Sequence, residues 1–466
     1  MKELPDPEPC RLAARRMESR SSTRVLLAGA SLAALSVLAS LPAAAQQSLN
    51  PNQLSMGIAI RNTALPAAED PALCPSLVRK SAQNDGLPAD QQALLDRCGR
   101  VVREPDPTLK ANALQEITAE ELNAPATNAI DFGAAQRSNI AARLLTLRVA
   151  GTPLASLADP YSLYSTTGGA SGDDLGGRLG LFINGSLGQG DKDQTAYEDA
   201  YDFDLTSVTV GVDYRFTDSL VGGVALGYST SETDFDNSGS LDSDGISGSI
   251  FGSWYGEHAY ADLIVGYGGQ NLDSVRRVRY TLAEEPEPID HTATGDTNSD
   301  LFSAGLSAGY QFGSGGWRFA PNAAVSYLKV SVDGFTEHGG SHPELNLDLG
   351  DQDAKSLQLQ LGFDLGYTAS TSWGVITPYA RATQIWEQEN DQQTFLLQYV
   401  TDPFKTAATT ATVTSDKPDD SYLRWAIGVS AVFASGFAGF LDYASVASLD
   451  TVSYGEFTLG LRYAFP

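Results

Sequence analysis

From residue 178 to residue 466 the chain alternates apolar and polar side chains with a period of two, and no other feature narrows its possible folds as far. In 208–216, Val208, Val210, Val212, Tyr214 and Phe216 alternate with Thr209, Gly211, Asp213 and Arg215. In 357–367, Leu357, Leu359, Leu361, Phe363, Leu365 and Tyr367 alternate with Gln358, Gln360, Gly362, Asp364 and Gly366. A period of two sends successive side chains to opposite faces, so each segment reads as a strand with one apolar face. A half-solvated soluble sheet shows the same pattern, and the connections must separate the two cases.

Twelve strands fit, near 178–188, 203–216, 219–233, 245–256, 259–272, 300–313, 317–332, 355–368, 373–387, 421–434, 436–449 and 455–465. Every second connection is only a few residues long, as at Thr217-Asp218, Glu257-His258, 314–316, 369–372 and Ser435. The others run over 189–202, 234–244, 273–299, 333–354 and 388–420, and only the last, 450–454, is short. Tight turns at one end and long loops at the other are how outer-membrane barrels are built. Closure is also required, because an open sheet edge in hydrocarbon would strand backbone groups at several kcal/mol each. The fold class expected is therefore all-β, a 12-stranded antiparallel transmembrane β-barrel occupying 178–466.

Composition agrees. The chain is 42% hydrophobic and 19% charged, with 45 glycines and 19 tyrosines. Outside the first 45 residues it has no apolar run near the ~20 residues a spanning helix needs. A barrel escapes that test because only the lipid-facing half of each strand must be apolar. Tyr228, Trp254, Tyr310, Trp373, Trp425 and Tyr463 lie near strand ends, where aromatic girdles belong. The formal net charge of −27 excludes a nucleic-acid partner, which needs clustered Lys and Arg. The acid gathers between strands, at Asp191, Asp193, Glu198, Asp199 and Asp202, at Asp234, Asp236, Asp242 and Asp244, and at Asp348, Asp351 and Asp353.

Residues 1–45 read as a secretory signal: arginines at 20 and 24, an apolar core from Val25 to Leu41, then small residues up to a cut between Ala45 and Gln46. A membrane-anchoring helix is the other reading. Residues 1–16 look like an upstream misreading of the start codon, with Met17 as the start. Cys10 precedes the signal, leaving Cys74 and Cys98 as a pair in an exported chain, which suggests a disulfide, two free thiols being the alternative. Residues 46–133 carry eight prolines, at 51, 66, 71, 75, 88, 105, 107 and 125, and much of this stretch reads as linker. Within it 71–83 and 88–102 suit two short helices about Gly86, with proline near each start. The Cys74–Cys98 bridge would staple them into a hairpin too small to bury much core of its own. From Ala134 to Val149, Ile140, Leu144 and Leu147 recur at helical spacing, Arg137, Arg143 and Arg148 carry charge, and Gly151 follows.

This arrangement resembles the autotransporter family. The resemblance covers about residues 134–466 and rests on Gln136-Arg137-Ser138-Asn139 leading into Arg143-Leu144 and Leu147-Arg148, on Thr377-Pro378-Tyr379-Ala380-Arg381, and on the ending Gly460-Leu461-Arg462-Tyr463-Ala464-Phe465. It implies an outer-membrane translocator with a helix, here 134–151, threaded through the pore, and a short passenger in 46–133. Inward residues would then include Asp213, Asp262, Asp364, Asp442, Arg381, Arg424 and Arg462, with Arg143 and Arg148 facing carboxylates. The alternating Phe457, Leu459, Leu461, Tyr463 and Phe465 match the strand that the barrel assembly machinery recognises in such proteins, although Pro466 follows where the family pattern ends on the aromatic. Implied partners are that machinery, outer-membrane lipid and lipopolysaccharide, around a monomeric barrel. The passenger is far shorter than a β-helical one, and the paired Asn of some self-cleaving members is missing, so it is expected to stay attached, anchored at the surface for adhesion or contact, with a periplasmic position and a part in envelope maintenance as the open alternatives.

No G-x-S-x-G elbow or H-E-x-x-H helix occurs. Of four histidines, His258 falls in a short turn, and His291, His338 and His342 fall in long loops, where solvated loop residues are the better reading than a metal pair. No catalytic residue, metal or cofactor is assigned. Two other classes stay open: a barrel-borne hydrolase, which would want Ser and His together on the outer wall, and a passive pore, which has no need of a 134–149 helix.

Overall fold

The computed structural model describes residues 49–61, 72–84, 86–151, 178–285, 287–389, 391–433 and 437–464, the side chains of 146–151 and 464 excepted. The expected signal segment, its cut at Ala45 and Gln46, and Phe465 lie outside these residues.

Twelve long antiparallel strands form the barrel: β1 (Leu179–Lys192), β2 (Tyr201–Thr217), β3 (Leu220–Phe235), β4 (Ser240–Tyr255), β5 (Ala259–Tyr280), β6 (Ile289–Tyr310), β7 (Trp317–Val332), β8 (Gln352–Tyr367), β9 (Gly374–Glu389), β10 (Ser421–Phe433), β11 (Phe437–Ala447) and β12 (Val452–Ala464). Each pairs with the next, and β12 returns to β1 in a register running from Gly180 opposite Ala464 to Lys192 opposite Val452. The sheet has no free edge, the condition hydrocarbon imposes. Alternation sorts the two faces: on β5, Leu263 and Tyr267 are 50% and 59% exposed, whereas Asp262 and Ile264 are buried. The outward face is thus apolar toward lipid, and the inward face is mixed, carrying polar residues such as Asp262 and the apolar Phe182, Val221, Phe251 and Ile264. At the short-turn end, rings meet across strands, with centroids 6.5 Å apart for Phe312–Phe319, 5.0 Å for Trp317–Tyr367 and 4.8 Å for Phe437–Tyr463.

The opposite end departs from expectation. β5 and β6 are 22 residues each, where an end at 272 and a restart at 300 were expected. A spanning strand needs only about 9–11 residues, so this hairpin stands well clear of the membrane. The connection expected to be long over 234–244 is a tight turn between β3 and β4, closed by Gly239 N donating to Asn237 Oδ1 at 2.9 Å, with Ser238 at φ 73°. Asp202, Asp242 and Asp244 accordingly lie in strands. The two longest connections are structured too. Ala411–Thr414, Thr394–Tyr399, Leu347–Leu349 and Phe335–Thr336 pair in that order into an antiparallel four-stranded sheet beyond the barrel mouth.

The N-terminal region is helical over most of its described length, which corrects the linker reading. The two expected helices are α2 (Leu73–Gln83) and α3 (Ala89–Arg103), joined by the Cys74–Cys98 disulfide with Cα atoms 6.1 Å apart. Two more flank them, α1 (Pro51–Arg61) and α4 (Pro107–Thr118). Proline at the first position sacrifices no hydrogen bond, and Asp106 caps α4 by accepting from Thr108 N at 2.8 Å and Leu109 N at 3.2 Å. A 3-10 turn (Glu120–Asn123) leads into α5 (Ala124–Gly151). α5 therefore starts ten residues before the expected Ala134, with Pro125 in its first turn.

These helices share one core with the loop sheet. Leu77, Leu94, Leu114, Ile117 and Leu122 pack with Val278 and Tyr280 of the β5–β6 hairpin and with Phe335, Leu347, Leu397 and Val413. Four short helices cannot bury enough surface by themselves, and here the barrel's loops complete their core.

Candidate functional site

The candidate site is the lumen with its threaded helix and the mouth above it. α5 descends from the loop-sheet end, where Ala126, Ala129 and Phe132 pack on Leu241, Leu272, Leu301 and Leu328. Lower down, Ile140 and Leu144 pack on Phe182, Val221, Ala225, Phe251 and Ile264. Small residues let the walls approach: a Cβ on Gly133 would sit 2.6 Å from both Leu301 Cδ1 and Leu328 Cδ1, and one on Gly227 would sit 1.7 Å from Gln136 Oε1.

Between these apolar ends runs a ladder of neutral hydrogen bonds. Asn128 Oδ1 accepts from Ser243 Oγ at 2.7 Å and Gln270 Nε2 at 3.3 Å. Gln136 Oε1 accepts from Thr209 Oγ1 at 2.9 Å. Asn139 Nδ2 donates to Ser207 Oγ at 2.7 Å and Thr209 Oγ1 at 3.2 Å, while Asn184 Nδ2 donates to Asn139 O at 2.7 Å. The ladder ends in a buried ion pair: Arg143 Nε donates to Asp213 Oδ2 at 3.0 Å, Nη2 closes on the same oxygen, and the guanidinium carbon lies 5.3 Å from the Phe182 ring centre.

The structure brings some of the sequence-derived residues together and leaves others apart. Arg143 meets Asp213, whereas Arg137 has no ion pair among the described residues and the Arg148 side chain lies outside them. Arg424 donates to Glu456 Oε2 at 2.8 Å and to Ser138 Oγ on α5 at 3.4 Å, and Arg381 donates to Asp442 Oδ2 at 2.6 Å. Asp262 accepts from Ser253 Oγ at 2.6 Å, and Asp364 accepts from Asn322 Nδ2 at 3.1 Å. Arg462 is half-buried at the short-turn end of β12, opposite Phe182. On the outer wall Phe457, Leu459 and Leu461 are exposed, and Tyr463 rests on Phe437.

Sequence reading did not anticipate the polar contacts at the mouth. Arg276, fully enclosed, donates to both Glu337 oxygens at 2.6 Å and to Leu345 O at 2.9 Å. Arg97 of α3 bonds Glu285 at 2.8 Å and lies 3.4 Å from Glu344. Lys192 joins Glu198 at 3.2 Å and also closes on Asp416. His291, expected as a solvated loop residue, is 1% exposed within β6. Its Nδ1 accepts from His342 N at 3.2 Å and its Nε2 faces Asn346 Oδ1 at 2.9 Å, and burial pushes its pKa below the ordinary value. His338 is exposed, and His342 lies 3.3 Å from Glu344. Among the described residues no group of three or more His, Cys, Asp or Glu is arranged to hold a metal ion.

The family model for the autotransporter beta-domain matches residues 181–444. The chain belongs to the autotransporter family. It is thus an outer-membrane barrel of the kind that translocates and anchors a passenger, and the translocator fold is not itself enzymatic. This autotransporter is 27% identical over 194 residues to Esterase EstA of Pseudomonas aeruginosa, covering 40% of this chain and 28% of that protein. It is 24% identical over 276 residues to the putative uncharacterized protein YaiT of Escherichia coli, covering 57% and 25%. The chain therefore spans about a quarter of the length of these curated relatives. Among solved structures it is similar to the translocator domain of NalP from Neisseria meningitidis, with a TM-score of 0.48, 17% identity, and coverage of 71% of this chain and 99% of that one.

Proposed function

We propose that this autotransporter exports its own N-terminal helical segment, keeps it, and displays it as a cap on the outer mouth of the barrel. There it serves surface contact such as adhesion. One observation carries the reading: the hydrophobic core of α1–α4 is completed by the loop sheet and by the β5–β6 hairpin. A cargo bound for release has no reason to be built into the loops of its own exporter. Long loops face outward in outer-membrane barrels, so a cap seated on them is outside the cell. The helix in the lumen counts against a passive pore, because α5 is held to the wall by hydrogen bonds to Ser207, Thr209 and Ser243 and by the Arg143–Asp213 pair.

An epitope inserted at the exposed Gly86 turn of intact cells tests this. Antibody binding and protease cleavage at the cell surface, with the fragment remaining cell-associated, are expected. A tag that stays protected in intact cells, or appears in the medium, overturns the reading.

A further inference from the structure

Where the cap becomes the pore helix, four carboxylates converge from both sides of the interface. Glu116 lies on α4 and Glu120 and Glu121 in the following 3-10 turn. Asp199 comes from the β1–β2 connection, with Asp236 close by in the β3–β4 turn. Glu120 and Glu121 are 1% and 5% exposed. Their partners are almost all neutral. Glu120 accepts from Asn50 Nδ2 at 3.1 Å and from Gln115 Nε2, which also donates to Asp199 Oδ1 at 3.2 Å. Glu121 accepts from Asn237 Nδ2 at 3.4 Å, and Glu116 accepts from Arg279 N at 2.7 Å. Arg276 of β5 is the cation that acts on Glu121, and it is already held by both oxygens of Glu337.

The two cations that act on the cluster are both committed elsewhere, Arg276 to Glu337 and Arg279 to Asp290 at 3.0 Å, so the carboxylates cannot all ionise without forcing the surfaces apart. Like charges at this range each disfavour the other's charged form, and burial disfavours both. We infer that this junction is a proton-dependent latch, holding the cap down while the carboxyls share protons and letting α4 and the 3-10 turn lift when they ionise. The inference rests on the cap being docked on the barrel, as the proposed function does, and not on which face of the membrane the cap occupies.

Burial and the neighbouring negative charges act in the same direction. Burial, with Asp199 adding to it, raises Glu120 from an ordinary 4.5 to about 7 and Glu121 to about 8, and burial also raises Glu116 and Asp199. A carboxyl that binds its proton more tightly when docked contributes docking stability that is complete below its free value of 4.5 and is lost as pH rises through 7 and 8. His291, behind Arg276 and facing Glu337 and His342, works with the opposite sign. Its value is lowered from 6.5, so its contribution is complete above 6.5 and lost in acid. The latch is therefore read on the alkaline side of neutrality.

Hydrogen exchange of the purified full chain at pH 6.5 and pH 9 tests it, with protection of residues 107–123 normalised to the barrel strands of the same sample. Each unit of carboxyl displacement is worth about tenfold, so relative protection should fall by at least about tenfold at the higher pH. The E120Q/E121Q double variant should hold the same relative protection at both pH values. Asp199→Asn, on the barrel side, should shrink the fall and serves if the double variant does not fold. Equal relative protection at both pH values in the unmodified chain overturns the latch, as does a fall in E120Q/E121Q as large as the parent's. The Gly86 surface tag reports on display alone, so either reading can fail without the other.

Discussion

Arg143 and Asp213 face each other across the lumen with neither side chain more than 4% exposed, and their interaction has to offset the loss of two hydration shells. Removing one member leaves the other as an uncompensated buried charge, which costs about 3–5 kcal/mol, whereas replacing both with apolar groups is often neutral. Arg143→Met should therefore lower the urea midpoint of the reconstituted barrel strongly, and adding Asp213→Leu should restore most of it. A double variant as unstable as the single one would mean that Arg143 acts through its guanidinium on the Phe182 ring instead. At this scale the sequence was informative in part. Helical spacing set Arg143 beside Ile140 and Leu144, and the period of two set Asp213 opposite Val212 and Tyr214, so both were legible as inward residues. Which carboxylate the arginine finds depends on the height of α5 in the pore, and local patterning does not encode that. Nor does it encode that Gly227 leaves room for Gln136, since a glycine in a strand reads only as a weak strand position.

Among the elements, the barrel strands were legible because each carries its own repeated signal, while α1 and α4 were not. Both begin at proline, Pro51 and Pro107, and a high proline count read as linker conceals the fact that proline belongs in a first helical turn. Their buried residues, Met56, Ala59 and Ile60 on α1 and Ala113, Leu114 and Ile117 on α4, include small ones that make a faint stripe. The Asp106 cap was the usable signal. Asp106→Ala should weaken α4 by about 1 kcal/mol, visible as faster exchange in 107–118 with the barrel strands unchanged. The disulfide acts on the neighbouring pair. It closes a separation of 24 residues, and a loop of that order is worth about 3 kcal/mol through the unfolded chain. The C74S/C98S variant should lose α2 and α3 to limited proteolysis while the barrel keeps its heat-modifiable migration. A cap equally resistant without the bridge would show that the loop sheet alone holds it.

At the level of the whole molecule, cap, loop sheet and barrel depend on contacts between residues far apart in the chain. Asn52 on α1 donates to Tyr197 O and to Thr414 O, both at 2.9 Å, bridging the first helix to two connections of the barrel. Thr414 N returns a bond to Asn52 Oδ1 at 2.9 Å, and Thr412 N donates to Ser55 Oγ at 2.8 Å. The strands these bonds steady are only two to six residues long, too short for periodicity to reveal them, and they exist because α1–α4 cover one face. Removing 49–119 should therefore leave the twelve-stranded barrel closed, since its pairing from β1 to β12 involves none of those residues. The four-stranded sheet would lose the partners of Phe335, Leu347, Leu397 and Val413, so 333–351 and 391–420 should become protease-sensitive. Conductance in planar bilayers then separates the two closures of the pore. Deleting the cap alone should raise it modestly, because α5 keeps its bonds to Ser207, Thr209, Asp213 and Ser243, and extending the deletion through Gly151 should raise it much further. If both deletions conduct equally, the cap is the seal and the helix only its tether; if the loops stay protease-resistant without the cap, the shared core is not what orders them.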